Sequence, residues 1–320
     1  MIKYAIKRVL NVIPILFVVS IVVFMIIHLT PGNPATQILG MQASKEQIEE
    51  FNEKAGLNDP IVKQYGKWIK NAIRGDLGES YFMDESVGEA IGSHFRPTLS
   101  LAIFSEILSI IIGIWMGIAS ANKKFKTKDK ILSTLSLIAL AIPTFVSSLI
   151  LALIFSIKLR IFPIAGYEPL SSGLSTHLKF LILPGVALAI PNIAVIMRIT
   201  RSSIINTLKK DYIKTQIIKG QNKRKIIAKH ALKNSMLPII TLIGQSFGAL
   251  ITGAIVVESV FNIPGLGQLL INSIQRRDIQ MIQGMVLTIS VVYVMINLIV
   301  DLLYMVIDPR INLYEGDGNE

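Results

Sequence analysis

The sequence predicts an all-α polytopic membrane protein, and three observations carry that prediction. Six apolar runs of roughly 20 residues recur along the chain, the length a helix needs to cross a hydrocarbon core of about 30 Å. Hydrophobic residues make up 52% of the 320 positions, and mean hydropathy is +0.57. In lipid, only helices and closed barrels satisfy their own backbone polar groups, and these runs are too long and continuous for barrel strands.

The first span runs from about Val9 to Leu29, behind Lys3, Lys7 and Arg8. A secretory signal peptide is the rival reading, but the apolar stretch exceeds one and no small-residue cleavage site follows, so the prediction is an uncleaved anchor. The second span covers Thr98 to Ala121 and the third Ile131 to Ile157. The fourth, Leu178 to Met197, is interrupted by Pro184 and Pro191. The fifth covers Ile239 to Val260 and the sixth Gly284 to Ile307.

Orientation follows from where Lys and Arg fall in the short loops. Lys123, Lys124, Lys126, Lys128 and Lys130 crowd the second loop, and eleven basic residues lie between Arg198 and Lys233. Only Arg276 and Arg277 separate the last two spans. Every rich segment shares one side if both termini are cytoplasmic. The stretch from Pro31 to Pro97 then lies outside, and helical patterning at Ser44–Ala55 and Ile61–Ile73 predicts a small extracytoplasmic cap. The predicted division is an N-terminal transmembrane helix (1–30), that loop or cap (31–97), a five-helix core (98–307) and a short acidic cytoplasmic tail (308–320).

Several function classes recede on composition. Cysteine is absent, and the four histidines show no metal-ligand spacing, so no thiolate or metal site is expected. The net charge of +11 raises nucleic acid. Its confinement to membrane-flanking loops, without aromatic interleaving or a recognition fold, argues against that partner. No Gly-x-x-x-x-Gly-Lys-Ser/Thr phosphate cradle occurs, so a partner must hydrolyse any ATP. Ser105, Ser109 and Ser246 have no histidine at their depth, which argues against an intramembrane enzyme.

The loop at 198–237 is far longer than two neighbouring spans require. It holds eleven basic residues and one acid, Asp211. Apolar residues persist through it: Ile204, Leu208 and Tyr212 recur at four, as do Ile213 and Ile217, the spacing of one helical face. Gly220 permits a turn, helix resumes near Lys223, and Pro238 marks re-entry. Two readings stand. The segment is either a basic amphipathic surface held by anionic lipid or a docking helix that inserts apolar anchors into a groove on a soluble partner.

Here the sequence resembles a known family. Asp211-Tyr212-Ile213-Lys214-Thr215-Gln216-Ile217-Ile218-Lys219-Gly220, followed by Lys229 to Asn234 and Leu237-Pro238, is similar to the cytoplasmic loop of binding-protein-dependent ABC importer permeases. The branch is the one handling dipeptides, oligopeptides, nickel complexes and glutathione, and within it the first of two paired permeases. His28 to Gly32, Arg74 to Gly78, Arg96 to Leu99, Glu258 to Gly267 and Asp308 to Arg310 fit as well, so the resemblance covers nearly the whole chain. It implies a type I importer permease fold in the bacterial cytoplasmic (inner) membrane. It also implies a second homologous permease as heterodimer partner, two ABC ATPase subunits carrying ATP and Mg, and an extracytoplasmic solute-binding protein. No cofactor is expected on this chain itself. The family's Glu-Ala-Ala motif, three residues and then Gly, forms the coupling helix. Aligned on Gly220, this sequence has Lys214, Thr215 and Gln216 in its place. The resemblance thereby assigns ATPase coupling to Asp211, Tyr212, Lys214, Thr215, Gln216, Ile217, Lys219 and Gly220.

Polar groups inside spans mark function by default. Glu106 lies mid-span two, Glu258 at the outer end of span five and Asp301 towards the inner end of span six; Gln245 and Asn297 are buried polar candidates. Glu106 either lines the pathway or bonds a neighbouring helix, while interfacial solvation accounts for Glu258 and Asp301. Gly113 and Gly117, and Gly244 and Gly248, permit close helix packing. The resemblance adds that span five lines the translocation path, which makes Gln245, Gly248 and Glu258 pathway-lining candidates beside Glu106 on span two. A proton-coupled secondary transporter is the rival class, but the acids lie at different depths with no base beside them and no inverted repeat is visible.

Overall fold

The structure is a computed structural model that describes residues 2–29, 43–80, 82–83, 85–122, 124, 126–222 and 225–307. Thr30 to Gly32 and Asp308 to Arg310, parts of two of the motifs above, lie outside the described residues. In chain order the helices are α1 (Ile2–Leu29), α2 (Lys45–Ala55), α3 (Ile61–Ile73), α4 (Val87–Asn122), α5 (Thr127–Ala141), α6 (Thr144–Leu151), α7 (Leu174–Thr207), α8 (Asp211–Ile218), α9 (Leu232–Phe261), α10 (Leu266–Arg276) and α11 (Ile279–Ile307). A π-helical stretch, Ala152–Lys158, prolongs α6, and a second, Ile226–Ala231, leads into α9.

Five of these helices, α1, α4, α7, α9 and α11, hold stretches long and apolar enough to cross a membrane. The expected third span is not one straight helix. It is a pair, Thr127–Ala141 and Thr144–Lys158, bent by 102° at Ile142–Pro143. The cause is local: the proline ring disfavours helical backbone at the residue before it, and Ile142 is extended at φ −82° and ψ 119°. Pro184 and Pro191, expected to interrupt the fourth span, sit inside a continuous α7 of 34 residues. The second span also begins earlier than its apolar run, because α4 starts at Val87 and passes through Pro97.

The most extensive helix pair is α4 with α7, and small residues let it close. A Cβ on Gly113 would lie 2.8 Å from Cβ of Ile196, and one on Gly117 would lie 2.6 Å from Cβ of Thr200. Around this pair a central core forms from Leu101, Leu181, Leu188, Leu250, Val257 and Phe261. A second cluster at one end joins Val87, Ile91, Leu266, Leu269, Met281 and Met285. A third at the opposite end joins Ala121, Ile204, Ile227 and Ala231. That third end also gathers the basic loops, since Ala121, Lys124 and Lys126 share a cavity of about 410 Å³ with Ile205, Leu208 and Lys209. It is called the basic end below.

Between α1 and α4 the described residues form two short helices. Ser44 caps α2 in a reciprocal box with Gln47. Then Asp76 accepts the Gly78 N–H at 3.0 Å, and both Gly75 and Gly78 take left-handed φ values of 87° and 88°. The tight approach of Gly78 to the Gln280 side chain, 2.7 Å from a hypothetical Cβ, accounts for glycine in Arg74-Gly75-Asp76-Leu77-Gly78. Ser80 completes the docking, donating to the buried Asp278 at 2.6 Å.

Candidate coupling segment and permease core

The loop between α7 and α9 is a folded unit at the basic end. The even spacing of Ile204, Leu208 and Tyr212 predicts one continuous face, but α7 stops at Thr207 and Lys210 is extended at φ −72° and ψ 148°. The chain therefore turns before α8 begins. Ile213 anchors α8, fully buried at 0% exposure, whereas Ile217 and Ile218 stand 59% and 85% exposed and Tyr212 38%. Large apolar side chains left in water cost free energy that burial against a partner recovers, at about 25 cal/mol per Å². Lys214 bonds Asp211 at 2.8 Å across an exposed face, and Thr215 donates back to the Asp211 carbonyl. Gly220 ends the helix at φ +72°, and the amide oxygen of Gln221 accepts from His230 Nε2 at 3.2 Å. Spacing at four groups Ile213 with Ile217, yet the fold separates them: one holds the helix down, the other is presented outward. Ile218, adjacent in sequence and the most exposed of the set, has no periodic signal to mark it.

A buried ion pair ties this unit to the membrane bundle. Arg201, one turn and a half before the end of α7, grips Asp129 through Nε and a terminal nitrogen, each 2.7 Å from a carboxylate oxygen. Ser120, at the end of α4, also donates to Asp129, so three helices meet on one carboxylate. Thr207 and Ser235 bond at 3.0 Å just beyond, joining α7 to α9. Bidentate geometry makes such pairs directional as well as strong. Amid five lysines, Asp129 reads as a surface counter-charge. Its partner lies 72 residues away, and only the fold joins them.

Glu258 has a task other than facing a pathway or an interface. It is fully buried, and its Oε2 accepts the backbone N–H groups of Gly267 at 2.7 Å and Gln268 at 3.3 Å. Its Oε1 accepts the Thr98 hydroxyl at 2.6 Å, and Thr98 in turn accepts the Leu266 N–H at 2.8 Å. The carboxylate thus caps the N-terminus of α10, where unpaired N–H groups and the helix dipole favour negative charge. The motif Glu258 to Gly267 follows from this: Asn262 turns the chain at φ 48°, and a Cβ on Gly265 would sit 2.3 Å from the carboxylate.

The remaining polar candidates divide. Glu106 is buried and accepts the Ser246 hydroxyl at 2.8 Å, so it bridges α4 and α9; its second oxygen has no hydrogen-bond partner among the described residues. Gln245, expected to be buried, is exposed on α9, and Asn297 is half-buried and donates to the Tyr293 carbonyl. Gly248 is spent within the bundle: its missing Cβ admits the Tyr293 ring at 2.9 Å, as Gly244 admits Val300 at 2.2 Å. Asp301 pairs with Arg8 at 2.8 Å, joining α1 to α11 at the basic end.

Comparison with known proteins places this arrangement. Residues 109–313 match the family described as the inner membrane component of binding-protein-dependent transport systems, and residues 1–102 match the N-terminal region of such components. The chain is 38% identical over 308 residues to a probable peptide ABC transporter permease, y4tP, of Sinorhizobium fredii, covering 96% of this chain and 98% of that one. It is also 38% identical over 311 residues to the glutathione transport system permease GsiC of Escherichia coli K12, covering 97% and 99%. Among solved structures it resembles the inward-facing MetNI methionine ABC transporter with a TM-score of 0.56 and 14% identity, over 68% of this chain and 96% of that one. That likeness concerns the fold, a type I importer permease fold. With two consecutive family matches and full-length relatives, the chain belongs to the inner membrane components of binding-protein-dependent transport systems.

Proposed function

We propose that this chain is one of two paired permeases in an ATP-driven importer of peptides, and that it forms half of the translocation pathway. In this reading both termini and the basic end face the cytoplasm of a bacterial cell, and the positive-inside asymmetry supports that orientation. Two ATPase subunits dock on the coupling segment, hydrolysing ATP that this chain has no phosphate cradle to bind, and an extracytoplasmic binding protein delivers solute at the opposite end. The observation that carries the reading is the exposure of Ile217 and Ile218 at the C-terminal end of a short helix held down by Ile213, with Tyr212 part-exposed near its start. An anchored short helix that leaves large apolar side chains uncovered suits a groove on a soluble partner.

The mechanism is a rigid-body exchange between two packings of the paired subunits. Closure of the ATPases on ATP draws the coupling segments together, and the Asp129–Arg201 pair transmits that displacement to α4, α5 and α7. The cavity opens outward, then returns when ATP is spent. Peptide is the favoured cargo because a relative matched over its full length bears that name; glutathione, itself a tripeptide, stands second through GsiC.

Affinity purification from membranes through a tag on the C-terminal tail tests this. Co-purification of a second permease and P-loop ATPases is the expected result. Recovery of the chain alone, or as a homodimer without ATPase, would overturn it in favour of a secondary carrier.

A further inference from the structure

Helix α3 does not fit the role of a water-exposed cap. Its apolar residues Ile61, Tyr65, Trp68, Ile69, Ala72, Val62 and Ile73 fall on one arc, while Lys63, Lys67 and Lys70 recur at four and three on the opposite side. Val62 and Ile73 are 83% and 80% exposed, an unusual placement for a helix standing in water.

The contacts of α3 orient it. The Tyr65 hydroxyl bonds Ser20 at 2.7 Å, and its ring packs edge-on to Phe24 at 5.4 Å and Phe17 at 6.5 Å. All three partners belong to Arg8–Met25, the stretch of α1 apolar enough to span the membrane. Ser20 lies five residues inside the end of that stretch, about 7 Å below it at 1.5 Å per residue. On the apolar side, Tyr65, Ile69, Ala72 and Ile73 share a cavity with Ile13, Leu16, Leu287 and Val291, which lie deeper along α1 and α11. On the polar side, Gln64, Lys67 and Asn71 share one with Asp76, Gln280 and Gln283, at the end of α11 away from the basic loops. The apolar face therefore points towards the membrane midplane and the polar face towards water. Phe17 and Ile13 of α1 are themselves exposed beside it, so the free edge of α3 continues a lipid-facing surface.

We propose that α3 is an interfacial helix lying in the outer leaflet, with Tyr65 packed on α1, Val62 and Ile73 in the acyl-chain region, and the lysine face towards the headgroups. Lysines reach from that depth back to water. Asp59 accepts from Lys63 at 2.8 Å and Lys67 at 2.7 Å, which holds its carboxyl below the usual carboxylate range and offsets part of the lysine charge. Apolar burial, rather than attraction to anionic lipid, then supplies the attachment. The helix fastens the segment before Arg74 to Gly78 at a set height above the bilayer. The choice of leaflet rests on the orientation given under the proposed function; the depth does not.

The natural chain has no cysteine, so single cysteines can carry a spin label in the full-length protein reconstituted in phosphatidylcholine nanodiscs. Labels at Val62→Cys and Ile73→Cys should collide several-fold more with oxygen than with a water-soluble nickel chelate. Labels at Lys63→Cys and Lys70→Cys should show the reverse. High salt should leave the first pair unchanged, because apolar burial is not screened. Dominance of the nickel chelate at all four positions, access of neither reagent to 62 and 73, or loss of depth in salt would each overturn the proposal. Labelling Lys70→Cys in intact cells with an impermeant maleimide reads the leaflet separately, so an inverted orientation is told apart from a helix that leaves the membrane. All four variants must elute as the unmodified protein does.

Discussion

Arg201 and Asp129, 72 residues apart in sequence, meet in a two-pronged ion pair of 2.7 Å per contact, with Asp129 almost wholly buried at 3% exposure. The pair lies where α4, α5 and α7 converge, immediately before the chain leaves the bundle for the coupling segment. A displacement of α8 reaches the bundle here through α7, and on its other side through the stretch that leads into α9.

Arg201→Ala leaves a buried carboxylate with serine hydroxyls as its named partners. Breaking a buried pair is strongly destabilising, and a guanidinium side chain 26% exposed sets the cost at the lower side, roughly 2–3 kcal/mol. Thermal unfolding of the purified protein should show it as a clear drop in Tm. The double variant Asp129→Ala with Arg201→Ala should cost less than the sum of the single changes, and strict additivity would remove the pair from the account.

Glu258→Ala removes the acceptor for two backbone N–H groups and the Thr98 hydroxyl together. Loss of a cap plus buried unsatisfied donors predicts a cost of about 2 kcal/mol or more. Glu258→Gln, which keeps acceptor oxygen but not charge, should cost less. Gly267→Ala should be at least as severe as either, because its Cβ would lie 2.3 Å from the Ile255 backbone, which cannot swing aside. Comparing the melting temperatures of the three variants checks that order.

Two glycines of α9 separate packing from propensity. Gly244→Ala places a methyl 2.2 Å from Val300, whereas Gly253→Ala meets nothing within 4 Å. The first should lose about 1–3 kcal/mol by overpacking. The second should be neutral or stabilising, since alanine favours the helix by up to about 1 kcal/mol. Equal melting temperatures for the two would contradict the packing of α9 against α11.

Gly220 holds φ +72°, a conformation that costs a residue with Cβ about 1–2 kcal/mol. Gly220→Ala should lower uptake while leaving the amount of inserted protein unchanged, and Gly220→Pro should abolish uptake, because the ring locks φ near −65°. Solute accumulation in cells, normalised to membrane-inserted chain, reads both.

Five of the apolar runs were legible as long helices because lipid imposes a length on each, whereas the run expected to be the third span folds as a bent pair. The helices at Lys45–Ala55 and Ile61–Ile73 were legible for a similar reason: amphipathic period and a capping serine are local signals. What escaped was set by distant chain. Glu258 at the end of an apolar run looks like an interfacial acid until α10 folds back over it, nine residues on. Gly248 looks like an opening in a pathway helix until Tyr293 fills it. Pro143 and Pro184 are equivalent by type, yet one breaks its span and the other does not. Within the coupling segment, periodicity found the helix but not its orientation. Ile213 and Ile217 share a spacing, and only the path of the chain out of α7 decides which is buried.

The most direct test of the account is cross-linking from α8 in native membranes. Single cysteines at Tyr212, Ile217 and Ile218 are introduced into the cysteine-free chain, with Val62 at the opposite end as control, and joined to neighbours by a short bifunctional maleimide. The account predicts a covalent product with a P-loop ATPase subunit from all three α8 positions, strongest at Ile218, and none from Val62. Wild-type uptake with no ATPase product from any of the three would contradict it, and these exposed side chains would then belong to lipid.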